Sequence, residues 1–183
     1  MAALSTFASD LLEEAKRFLE KAREAAKVKS DGKDALLHAS LMLGFAAFEA
    51  HVNAIADDFL ARGDLNPHER GLLAEHAVEL DHGEFQEKEQ LKIQRLEDRV
   101  LFLCRRFSKS PIDRNASYWG AFMDAARLRN KLIHPKAEPP AIGESAVERA
   151  LRAIIELLNF MYVSIYKKKL PAYNRGLSSK LSF

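Results

Sequence analysis

Apolar residues recur at three-and-four spacing along most of the chain, the signature of helices with one buried stripe. A first helix is predicted over about Ser5 to Val28, with Leu4, Phe7, Leu11, Phe18, Ala22 and Ala25 marking its stripe. Ser30-Asp31-Gly32 breaks the pattern. A second helix, about Asp34 to Ala61, carries Leu37, Leu41, Phe45, Phe48, Val52, Ile55 and Phe59. It has no formal charge between Ala35 and Phe48, so it is expected to pack on more than one side. Gly44 would admit a close neighbouring helix there.

Asn66-Pro67-His68-Glu69 reads as a capped helix start, leading to a short helix that ends near Val78. Glu79 to Gln90 is acidic and weakly periodic, and is expected to be flexible. A fourth helix is predicted over about Leu91 to Phe107, with Ile93, Leu96, Val100, Leu103 and Phe107 on its stripe. A fifth runs from about Ser117 to Ile133, and Pro135, Pro139, Pro140 and Gly143 then stiffen a loop. Ser145-Ala146-Val147-Glu148 has the form of a capping box opening the last long helix, whose stripe is Val147, Leu151, Ile154, Leu158, Met161 and Ile165. Lys167, Lys168 and Lys169 end it and Pro171 stops it. No strand is expected. The fold class is all-α, a single up-and-down-like bundle of five to six helices over residues 1–170, with 171–183 as a flexible tail.

Composition narrows the function. The 183 residues are 48% hydrophobic and 30% charged, as in a globular protein with a real core. A net charge of +2 gives no global field toward nucleic acid or membrane, so contact with either must come from local clusters. Arg105-Arg106 and Lys167 to Lys169 are such clusters, read first as solvated helix ends. The single cysteine, Cys104, falls on an apolar stripe and reads as a buried thiol in a reducing compartment. The N-terminal segment lacks a basic start and greasy run, and the low-charge stretch Ala35 to Ala56 is interrupted by Glu49 and His51. A cytoplasmic protein with no membrane partner is expected. The histidines show no ligand-pair spacing, so neither a metal nor another cofactor is expected.

The candidate chemistry lies in Arg129-Asn130-Lys131-Leu132-Ile133-His134-Pro135. At about 100° per residue, Arg129 points along the centre of a stripe made by Tyr118, Phe122, Ala125, Ala126, Leu132 and Ile133. A guanidinium there needs a carboxylate, a phosphate or a wet cleft. Glu49, the one formal charge in the middle of the second helix, is the obvious carboxylate. His134 precedes a proline, which pushes it out of the α region and to the helix end. Asn130 and His134 are four apart and share a face beside Arg129. Arg127 points away from the stripe. An imidazole with an ordinary pKa of about 6.5 can move a proton near neutrality. A guanidinium can hold two phosphate oxygens. Together they suit attack of an RNA 2′-hydroxyl on its adjacent phosphorus, and a twofold dimer would supply a second histidine. Arg129 as a structural partner of Glu49 and Arg129 as a phosphate ligand are both open, and compatible. So are His134 as a simple helix-end residue and Asn130 as an exposed one.

These residues resemble the motif of the HEPN superfamily, an arginine, a polar residue and then a histidine after four to six intervening positions, near the end of a late long helix. Arg129, Asn130 and His134 match it, with four residues between arginine and histidine. The resemblance implies an all-α dimer and metal-independent endoribonuclease activity of the toxin or defence kind, with Arg129, His134 and Asn130 catalytic and Glu49 supporting. It implies RNA as substrate and leaves room for an antitoxin or regulatory partner. One subgroup has a tyrosine two places after the histidine, a target for modification by its antitoxin. Lys136 stands there in this chain, which argues against that kind of partner. The resemblance equally covers members that serve as non-catalytic dimerisation or regulatory modules.

Overall fold

The structure, a computed structural model, describes residues 2–28, 31–108, 110–136, 138 and 141–182, without the side chains of residues 2 and 3. Ser30, Pro139 and Pro140, invoked above as breakers, lie outside the described residues. The fold is all-α with one small hairpin: α1 (Ala2–Lys27), α2 (Lys33–Leu60), α3 (Pro67–Ala74), β1 (His76–Asp81), β2 (Glu84–Leu91), α4 (Leu96–Phe107), α5 (Ser117–Ile133) and α6 (Glu144–Tyr166), then a 3₁₀ turn at Tyr173–Arg175.

The uncharged run of α2 places it at the centre, where it touches each of the other five helices. By length and composition α2 could also cross a membrane, but its apolar side chains Leu37, Leu41, Phe45, Phe48, Val52 and Ile55 are buried within the bundle. It runs back along α1, and Ser40 Oγ donates to the Ala15 carbonyl at 2.7 Å across that contact. Gly44 allows α6 to close on the other side. A Cβ at this position would sit 2.5 Å from Leu151 Cδ2.

Asn66 caps α3 as expected, accepting from the Glu69 N–H at 2.9 Å while Glu69 returns the bond to the Asn66 N–H at 3.0 Å. That helix ends at Ala74, short of Val78, because Glu75 turns into the left-handed region at φ 57°. The segment expected to be flexible is instead an antiparallel β-hairpin. His82 (φ 50°) and Gly83 (φ 88°) form its two-residue tip between Asp81 and Glu84, the positive-φ pair that matches strand twist. Val78 seats it against Gly71 of α3, and His76 bonds Glu87 across the strands at 2.7 Å. Strand β2 claims the chain to Leu91, so α4 begins at Leu96 and Ile93 is left 81% exposed rather than on a stripe.

Two further expectations are corrected. Ser145 does not cap α6: Gly143 holds the N-cap with no side-chain bond, and Glu148 binds Arg23 and Arg152 instead. The tail is docked rather than free. Leu170, Ala172 and Leu177 are buried, the Ser179 N–H donates to Glu20, and the Lys180 N–H donates to Glu13 at 2.7 Å. Glu13 needs these donors because it is buried with Lys16, which it pairs at 3.0 Å and which is fully enclosed. A buried ion pair with unfilled lone pairs would be costly, and the tail fills them.

Candidate functional site

Helix α5 spans Ser117–Ile133, as its periodicity predicts, and Trp119, Phe122 and Ala125 form its buried line. Phe122 is held between Phe45 and Phe48 of α2, with ring centroids 5.8 and 4.6 Å away. One turn farther on, the line meets the edge of the core. Arg129 sits there, its side chain 20% exposed. Its Nη2 donates to Glu49 Oε1 at 2.7 Å, and its guanidinium lies 5.0 Å from the centre of the Phe45 ring. Its Nε is buried without a partner among the described residues.

Glu49 is 45% exposed, so this pair is screened and contributes about 0.2–1 kcal/mol. The ring contact adds about as much again. Such values orient a side chain more than they hold a fold. Glu49 also reaches a second cation, since its charge is felt by Arg99 on α4.

His134 lies at the end of α5 with φ −124° and ψ 63°, outside the α region, as the following proline requires. Its N–H closes the last turn on the Asn130 carbonyl at 2.9 Å. Both side chains are exposed. Among the described residues neither bonds Arg129, and Asn130 does not bond the His134 ring. One chain therefore brings Arg129 and Glu49 together and leaves Asn130 and His134, in the last turn of the same helix and at its end, open to solvent. Arg127 is exposed and paired with Asp124, off this face.

The other sequence candidates fall into ordinary roles. Cys104 is fully buried, and burial pushes its thiol pKa up to about 12, so it is not a nucleophile. Arg106 is held by Asp64 and Glu69. Among the described residues no group of three or more His, Cys, Asp or Glu is placed to hold a metal ion.

Sequence reasoning passed over two places. Arg99 is 4% exposed and bonds Asn53, the Leu73 carbonyl and Glu75, tying α4 to α2 and α3. Its fit to a helical stripe was masked by its own charge. The second is a cleft of about 410 Å³ between the C-terminal halves of α2 and α6, where Tyr162 and Tyr166 face Ile55 and Asp58. The i, i+4 spacing of those tyrosines was the available signal.

No protein-family model, no curated protein and no solved structure matches this chain. The candidate site is thus defined by its own geometry: an all-α bundle in which one helix end carries an anchored arginine, an exposed asparagine and an exposed histidine.

Proposed function

We propose that the chain is a metal-independent endoribonuclease of HEPN type, a toxin or defence effector acting as a homodimer. What supports the reading is the contrast within one helix end. Arg129 is steered by Glu49 and Phe45, while Asn130 and His134 stand exposed at the end of the same helix. A phosphate next to Arg129 would meet a cation already aimed, and preorganised charge is what stabilises extra negative charge on a phosphorane. His134 takes the 2′-hydroxyl proton as the 2′ oxygen bonds phosphorus. The phosphorus–O5′ bond breaks, and a protonated His134 of the second protomer returns a proton to the leaving oxygen. The products carry a 2′,3′-cyclic phosphate and a 5′-hydroxyl. Asn130 orients the ribose or the ring.

The test is cleavage of labelled RNA in EDTA by wild type, Arg129→Ala and His134→Ala. Each substitution should cost at least about 100-fold, the usual worth of one such donor or proton carrier. Equal cleavage by all three removes these residues from the chemistry.

A second reading, a non-catalytic dimerisation or regulatory module, is favoured by one observation: the guanidinium already has a carboxylate partner in its own chain. That reading expects no RNA cleavage and loss of dimer in Arg129→Ala. Sedimentation separates the two, since an intact but inactive dimer supports catalysis.

A further inference from the structure

The cleft between α2 and α6 has no part in the reading above. Its first lining residue on α2, Ala54, lies five residues beyond Glu49, roughly 8 Å along the helix axis. Its floor and walls are Ala54, Ile55 and the two tyrosines, with Pro171 closing one end, so most of the lining is apolar. Its volume of about 410 Å³ is that of a small-molecule site.

The polar groups are arranged so that little charge is left inside. Tyr162 bonds His51 Nδ1 at 3.0 Å, and Ser5 lies next to the same hydroxyl. His51 is 1% exposed, and its Nε2 has no partner among the described residues. Burial depresses its pKa to about 4, so the ring is neutral. Burial also raises both tyrosines, which stay protonated. Tyr166 donates to Asp58 at 2.5 Å, occupying one oxygen of that carboxylate. The mouth holds Lys168 and Lys169, both exposed and without an ion-pair partner among the described residues. Two ammonium groups against one engaged carboxylate leave the rim cationic.

We propose that this cleft binds a small amphipathic carboxylate, its flat apolar body against Ile55, Tyr162 and Tyr166 and its anionic end on Lys168 and Lys169. An apolar wall takes the body by burial, and aromatic rings favour a flat one. The lysines choose an acid over its neutral analogue. Inorganic phosphate alone fits poorly, because the interior offers it apolar surface.

The probe is 2-naphthoate, titrated calorimetrically into the full chain. Saturable binding is expected. It should weaken at least about tenfold in the surface double variant Lys168→Ala/Lys169→Ala, and by a similar factor for the neutral alcohol 2-naphthalenemethanol on wild type. Ala54→Leu, which fills the cleft, should abolish it. No saturable binding to wild type overturns the proposal. So does binding unchanged in the lysine variant, or equal affinity for the neutral analogue. None of these arms involves RNA, so the result stands apart from the test of Arg129 and His134.

Discussion

His51 gives the sharpest stability prediction. It is buried in the middle of α2, its single ring partner among the described residues is the Tyr162 hydroxyl, and its pKa falls from the ordinary 6.5 to about 4 because burial penalises the charged ring. Between those values the unfolded chain binds a proton that the native chain refuses. Stability therefore rises with pH through this window and is lost as pH falls through it. The full difference is about 3 kcal/mol, of which about 2 kcal/mol disappears between pH 7 and pH 5. Carboxylates such as Asp64 and Glu148, held low by their arginine partners, push in the same direction at lower pH. They are common to wild type and His51→Leu, so they cancel when the two are compared. Urea denaturation of both proteins across this range is the assay. Wild type should lose about 2 kcal/mol more than the variant on acidification. Parallel profiles would show that the native ring accepts its proton at the ordinary pH, and would refute the account of a neutral imidazole bonded to Tyr162.

Three other outcomes follow from packing. Gly44→Ala gains up to about 1 kcal/mol in helix propensity but drives a methyl to 2.5 Å from the fully buried Leu151, a cost of about 1–3 kcal/mol, so net destabilisation is expected in a thermal melt. Arg99→Ala leaves Glu75 and Asn53 without their buried cation and should cost about 3–5 kcal/mol by urea titration. Cys104 should resist alkylation in the native protein and react only as the chain unfolds, so its modification rate in mild denaturant should track global opening.

Much of the bundle is legible in the sequence wherever one helix buries one stripe. The boundaries of α5, the capping box at Asn66 and the close approach at Gly44 are local rules, and the structure obeys them. The Arg129–Glu49 pair is long-range yet readable, because α2 offers one formal charge at that depth and α5 one misplaced cation. What escapes reading depends on partners with no period. The hairpin of β1 and β2 has no fully apolar face, and Leu80 and Phe85, opposite each other in its register, are both largely exposed. Its seat on α3 includes Val78 meeting the bare backbone of Gly71. The tail is held by main-chain N–H groups that meet Glu13 and Glu20 on α1, which no side-chain pattern announces.

The same distinction explains why one candidate site was visible and the other was not. Arg129 stands out because it violates the stripe of its own helix. The residues of the α2–α6 cleft violate nothing: Tyr162 and Tyr166 are ordinary on α6, and His51 is a tolerable interruption of α2. Only their juxtaposition makes a cavity with Tyr162 bonded to a buried His51 on one side and, at its mouth, two lysines without an ion-pair partner among the described residues. A site built from one exceptional residue can be read along a chain. A site built from ordinary residues is a property of how two helices meet, so its chemistry has to be argued from distances and then tested with a ligand.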